Sequence, residues 1–170
     1  DCELRSYRRL ATGLFGDGVT CGAAPRVLTG GIGYPRDTFF KAERMKYRTF
    51  GRLGWEVSDI GYGMWGMGGW TGSDDAESLG ALERSVELGC NFFDTAHAYG
   101  DGHSEKLLGE TLRRHGKEKL YVATKVPPKN RRWPGRAETP ASEVFPYDYV
   151  VEMTRQSREN LGVERIDLQQ

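Results

Sequence analysis

Apolar residues between positions 45 and 170 recur with two periods that take turns along the chain. Tyr47-Arg48-Thr49-Phe50 and Trp55-Glu56-Val57 read as strands, and Gly51-Arg52-Leu53-Gly54 between them is a Gly-bounded turn, so a β-hairpin is predicted. Ile60-Gly61-Tyr62-Gly63 is the next strand-like stretch. Asp74 stands three residues before Glu77 in a capping-box arrangement, and Leu79, Leu82 and Val86 then mark one face of a helix that runs to Gly89. Asn91 to Asp94 returns to period two, with Phe92 and Asp94 on one face and Phe93 on the other. A second helix, capped by Ser104, carries Leu107, Leu108 and Leu112 and stops at Gly116; Leu120 to Lys125 follows as a strand with Tyr121, Ala123 and Lys125 on a common face. A third helix from about Asp148 to Leu161 places Val150, Thr154, Ser157 and Leu161 on one side, Gly162 ends it, and Ile166-Asp167-Leu168 opens one more strand. Strands separated by helices are what parallel pairing requires, so the pattern predicts an α/β fold.

Chemistry enters at the strand ends. Asn91-Phe92-Phe93-Asp94 and Leu120-Tyr121-Val122-Ala123-Thr124-Lys125 each deliver an ionisable residue at the carboxyl end, where α/β barrels keep their active sites, and Tyr99 lies in the loop after the first of them. If the two strands are neighbours, about 4.8 Å apart, Asp94 and Lys125 form an ion pair at the mouth. The Gly-rich stretch from Gly63 through Met64 and Trp65 to Trp70 lets a ligand approach the backbone closely, although it lacks the spacing of a dinucleotide-binding fingerprint. Pro127, Pro128, Pro134, Pro140 and Pro146 define a long loop that also holds Lys129, Arg131, Arg132, Trp133 and Arg136. It reads either as a solvated, Pro-stiffened connection or as an aromatic among cations that clamps an anionic ligand. Of the histidines, His97 is a polar loop residue, His103 sits beside a helix start and His115 near a helix end, where a cation suits the dipole.

Composition narrows the classes. With 24 basic and 24 acidic residues, the chain has no long-range attraction for nucleic acid or an anionic membrane, and neither is expected as a partner. Cys2, Cys21 and Cys90 are widely spaced and without a C-x-x-C pair, which argues against a disulfide framework and a metal site and fits a reducing, cytoplasmic setting. No apolar run reaches the roughly 18 residues of a membrane span. At 170 residues the chain is long enough for a core but short for a complete barrel of about 250 residues. Residues 1–44 precede the first methionine, Met45, and show no periodicity; they are expected to be an unassigned extension, non-native or disordered.

Strand-Asp94-x-x-x-x-Tyr99-Gly100, then Gly102-His103-Ser104-Glu105 with Leu108-Gly109, then a strand ending in Thr124-Lys125, and finally Leu161-Gly162-Val163-x-x-Ile166-Asp167-Leu168, resembles the aldo-keto reductase family from Met45 to Gln170. The resemblance implies a partial (β/α)8 TIM barrel with an N-terminal β-hairpin closing its bottom, about the first half only, in residues 45–170. It implies NADPH-dependent reduction of aldehydes or ketones, with Asp94, Tyr99 and Lys125 as three members of a catalytic tetrad and the fourth, a His, just beyond Gln170. The parent protein is then the enzyme, and the truncated chain itself is expected to be inactive. By the same resemblance Gly63, Met64, Trp65 and Asp94 border the cofactor, and Trp65 and Tyr99 the small-molecule carbonyl substrate; no metal is implied. Channel-associated family members keep the same core, so a nicotinamide-binding regulatory subunit is the alternative, and a defective gene fragment without activity is a third reading. In the enzyme reading Tyr99 gives a proton to the carbonyl oxygen, Lys125 places a cation beside it, and Asp94 holds the ammonium in position.

Overall fold

The computed structural model describes residues 44–170 other than 71, 73 and 117. The unassigned segment expected over residues 1–44 lies outside the described residues except for Arg44.

The hairpin forms as its turn chemistry dictates. Strands β1 (Tyr47–Phe50) and β2 (Trp55–Ser58) pair antiparallel, and one 3-10 turn over Gly51–Leu53 joins them, with Gly54 in the left-handed region at φ 66°. Beyond it runs a four-stranded parallel sheet, β3 (Tyr62–Gly63), β4 (Phe92–Asp94), β5 (Tyr121–Thr124) and β6 (Leu168–Gln169), ordered in space as in sequence. Helices α1 (Asp75–Glu87), α2 (His103–Arg114), the single turn α3 (Ala141–Val144) and α4 (Tyr147–Leu161) fill the crossovers. Sequential parallel strands joined by helices are the α/β arrangement that the pattern predicts and the half-barrel that the resemblance implies.

Alternation along the strands divides the sheet into two faces. Phe93 and Val122 point outward into a core with Met64, Leu82, Val86, Leu107, Leu108 and Leu161, so the expected stripes of the first two helices meet the sheet, whereas in the third Leu161 does and Val150 and Thr154 stay half-buried outside that core. Met153 joins the buried face of α4. The opposite face is layered. At the amino ends of the strands Phe50 stacks on Phe92 with ring centroids 5.7 Å apart and Trp55 on Tyr121 at 4.9 Å, so the hairpin forms the floor. Asn91 fastens that floor: its Oδ1 accepts from the Ser58 N–H and its Nδ2 donates to the Glu56 carbonyl, both across the gap to β2. The next row places Gly63, Asp94, Ala123 and Leu168 in register across all four strands.

Three helix details decide how tightly this assembles. Asp74 caps α1, its side chain accepting from the Glu77 N–H at 2.7 Å. Gly109 on α2 lies where an added Cβ would stand 2.7 Å from the Leu161 carbonyl, so the absence of a side chain is what lets α4 close on α2. Glu105, with no exposed surface, receives the Thr124 hydroxyl at 2.7 Å and the Asn160 amide at 2.9 Å and thereby ties β5, α2 and α4 together.

Several expected boundaries shift. Ile60 is not in a strand but sits two-thirds exposed in a bend, because β3 pairs with β4 only at Tyr62 and Gly63. Ser104 does not cap α2: Gly102 occupies that position in the left-handed region, and the Ser104 hydroxyl is buried against Thr95 Oγ1 at 2.9 Å. The last strand begins at Leu168, since the Asp167 carboxylate turns aside to accept the Val122 N–H.

Candidate active site

At the carboxyl ends of β4 and β5, Lys125 extends back over the sheet and donates from Nζ to Asp94 Oδ1 at 2.5 Å and to the Thr95 carbonyl at 2.8 Å. The expected ion pair is thus formed, between side chains of which Lys125 keeps about a third and Asp94 about two fifths of its surface accessible. The geometry follows from register: Asp94 pairs with Ala123, and Lys125, two residues further along the same strand direction, shares Ala123's face.

Tyr99 arrives by a tight loop. Its N–H donates to the Ala96 carbonyl, its own carbonyl accepts from Ser104, and the His97 N–H reaches the Lys125 carbonyl at 3.3 Å, so the segment after β4 is strapped to the end of β5. The Lys125 ammonium lies 5.5 Å from the centre of the Tyr99 ring. Asp94, Tyr99 and Lys125 are therefore neighbours, drawn from two adjacent strands and one loop.

The loop after β3 forms the opposite wall. Trp65 is 61% exposed and tilts against Trp70 at 5.6 Å, and Trp70 in turn meets Tyr99 edge to face at 6.0 Å. Gly63 lies beside Asp94 in register, with nothing within 4 Å of where a Cβ would be, so that patch is open. The Met64 side chain is wholly buried in the core, and what it presents toward the mouth is backbone, its N–H donating to the Asp94 carbonyl. Two glycines bring this wall up to Tyr99. A Cβ on Gly100 would stand 2.6 Å from the Gly68 carbonyl, and one on Gly68 would stand 2.4 Å from the Trp70 ring. Trp70, the Thr95 carbonyl and the Gly68–Gly100 contact are additions to what the sequence offers. Trp70 belongs to a visible Gly-rich stretch, but only the fold tells it apart from Trp65.

The class of molecule is set by a parallel βα half-barrel, floored by a hairpin, with an ion-paired lysine and a tyrosine at the carboxyl ends of its strands. Comparison with known proteins narrows this to one family: the model of the Aldo/keto reductase family matches residues 59–170, and the chain belongs to that family. Aldo-keto reductase YhdN of Bacillus subtilis is 36% identical over 85 residues, which are 48% of this chain and 26% of that protein. A protein of Oryza sativa subsp. japonica named "Probable voltage-gated potassium channel subunit beta" is 30% identical over 126 residues, 73% of this chain and 36% of its own length. Among solved structures, aldo-keto reductase AKR11C1 from Bacillus halodurans, in its holo form, superposes with a TM-score of 0.57 at 28% identity and covers 74% of this chain and 39% of that one. The chain spans between about a quarter and two fifths of the length of these relatives.

Proposed function

We propose that the whole protein is an NADPH-dependent oxidoreductase that reduces small aldehydes or ketones. The observation that carries this reading is the Lys125 ammonium held by Asp94 at 2.5 Å and standing over the Tyr99 ring. Family membership supports a nicotinamide cofactor, and the Bacillus halodurans relative is a holo form. The open patch at Gly63, with exposed Trp65 on one side and Asp94 on the other, fits the flat ring of a nicotinamide, and the backbone of Met64 completes that edge. Bound there, the reduced nicotinamide supplies a hydride to the carbonyl carbon.

The residues of this chain do the rest. Charge develops on the carbonyl oxygen as the hydride arrives, so a proton donor beside that oxygen lowers the barrier; Tyr99 is that donor. Lys125 puts positive charge next to the phenol and favours the tyrosinate left behind. Asp94 and the Thr95 carbonyl take two of the three ammonium hydrogens and so fix where the charge sits. Trp65 and Tyr99 bound the space left for the substrate.

In the whole protein, Tyr99→Phe is expected to lower kcat by about 10²-fold or more while NADPH affinity stays unchanged, because only the proton donor is removed. Steady-state kinetics with a small aldehyde and a fluorescence titration of NADPH measure the two quantities. A fully active Tyr99→Phe enzyme would end the assignment. A second reading, a nicotinamide-binding regulatory subunit, is favoured by the name of the Oryza sativa relative, a probable voltage-gated potassium channel subunit beta. It predicts NADPH binding with no turnover in the wild type, so the same pair of measurements separates the two.

A further inference from the structure

The loop after β5 leaves a group of cations that the reaction at Tyr99 does not use. Between this loop, the β4 loop and α4 lies a groove of about 490 Å3, whose walls include His97, Asp101, Lys129, Arg131, Trp133 and Tyr149. Its shape is built into the fold. The Tyr149 hydroxyl donates to the Pro127 carbonyl at 3.0 Å, the Lys129 N–H donates to the Val144 carbonyl at 2.9 Å, and the Arg131 N–H donates to the Pro128 carbonyl at 2.9 Å. Arg131 itself is in the left-handed region at φ 55°, a conformation unusual for a non-glycine residue. Neither Lys129 nor Arg131 has an ion-pair partner among the described residues, and Asp101 is the one carboxylate in the groove. Trp133, 83% exposed, stands beside them as an uncovered aromatic surface.

We propose that this groove takes the anionic end of a carbonyl substrate, a carboxylate or a phosphate, with Lys129 and Arg131 binding the anion and Trp133 lying against the carbon skeleton. The inference rests on the oxidoreductase reading and names its substrate class. Two features connect the groove to the reacting centre. His97 and Ala98 line it and immediately precede Tyr99, so its inner wall is within about 7 Å of chain from the proton donor. The backbone bond from His97 to Lys125 holds that wall against the ion pair. An arginine beside a lysine suits an oxyanion because the guanidinium fork binds two oxygens and the ammonium adds a point charge.

The test compares benzaldehyde, 4-carboxybenzaldehyde and 4-formylphenyl phosphate as substrates of the whole protein, in the wild type and in the double variant Lys129→Gln/Arg131→Gln. In the wild type the KM of at least one anionic aldehyde should be about tenfold below that of benzaldehyde, and the variant should erase the difference with kcat for benzaldehyde unchanged. The better of the two anionic aldehydes identifies the anion. Equal KM values for all three in the wild type, or a preference that survives in the variant, would overturn the proposal. A second arm needs no turnover: terephthalate, which cannot be reduced, should quench the part of the tryptophan fluorescence that is lost in Trp133→Phe, saturably in the wild type and not in the double variant. If no aldehyde is reduced but terephthalate binds in this way, the oxidoreductase reading fails and the anion groove stands. If aldehydes are reduced with equal KM values and terephthalate does not bind, the reverse holds.

Discussion

Lys125 and Glu105 represent two ways of holding charge in this fold. Lys125 is partly accessible and paired, and its removal should act on chemistry: in the whole protein, Lys125→Met is expected to lower kcat by about 10²-fold or more while NADPH still binds. It deletes the cation beside Tyr99 and leaves Asp94 with no ammonium to hold. A variant with near-wild-type kcat in the aldehyde assay would remove Lys125 from the mechanism. Glu105 is fully buried and meets a hydroxyl and an amide rather than a cation, in the first turn of α2, where the helix dipole favours negative charge. Its role is structural. Glu105→Ala would strand the Thr124 hydroxyl and the Asn160 amide, for a loss of about 3 kcal/mol in urea unfolding, whereas Glu105→Gln keeps an acceptor and should cost clearly less. Equal losses for the two variants would contradict this account, because Gln keeps both the side-chain volume and an acceptor.

Between elements, α1 and α2 are joined at their outer ends by charge. His115 at the end of α2 meets Glu83 of α1 at 2.5 Å and Glu118 at 3.1 Å. The hydrogen bond with Glu83, and after it the one with Glu118, raises the imidazole above its ordinary 6.5. The bond with His115, with Arg114 adding to it, lowers Glu83 below its ordinary 4.5. The sign follows from linkage: the His115 contribution is complete below about pH 6.5 and is lost as pH rises through the raised folded value, and the Glu83 contribution is lost as pH falls through its lowered one. The stability difference between wild type and His115→Gln should therefore shrink as pH is raised from 6 to 9, measured as urea midpoints. A difference that is constant with pH would show that the pair is not formed. At this scale most of the structure is legible in the sequence. The helices follow from the spacing of Leu82 with Val86, of Leu107 with Leu108 and of Ser157 with Leu161, and the Asp74 cap follows from its distance to Glu77. The sequence is less informative where a tertiary partner competes with a local rule. Ser104 has the chemistry of a cap but is drawn to Thr95, and Ile60 has the propensity of a strand but no neighbour to pair with. Of the site, Asp94 and Lys125 are readable because period two fixes their face. The edge of Trp70 on Tyr99 is not, because an irregular loop carries no period.

Taken as one body, the described residues form an arc of a cylinder. Among them β3 and β6 each have a strand on one side only, so both leave a row of backbone donors and acceptors open. Expressed by itself, the 170-residue chain is expected to self-associate through these edges, which sedimentation velocity would detect; a monomer with a sharp melt would contradict this. Barrels of this kind are commonly treated as a frame with exchangeable loops, each a cassette that can be swapped to change what is bound. The glycine contact at the mouth limits that freedom. With the Gly68 carbonyl seated where a side chain on Gly100 would have to go, the first two loops fit together like a dovetail joint. A transplanted first loop must bring its own second loop, and a library that varies position 100 will mostly sample misfitted joints rather than new specificities.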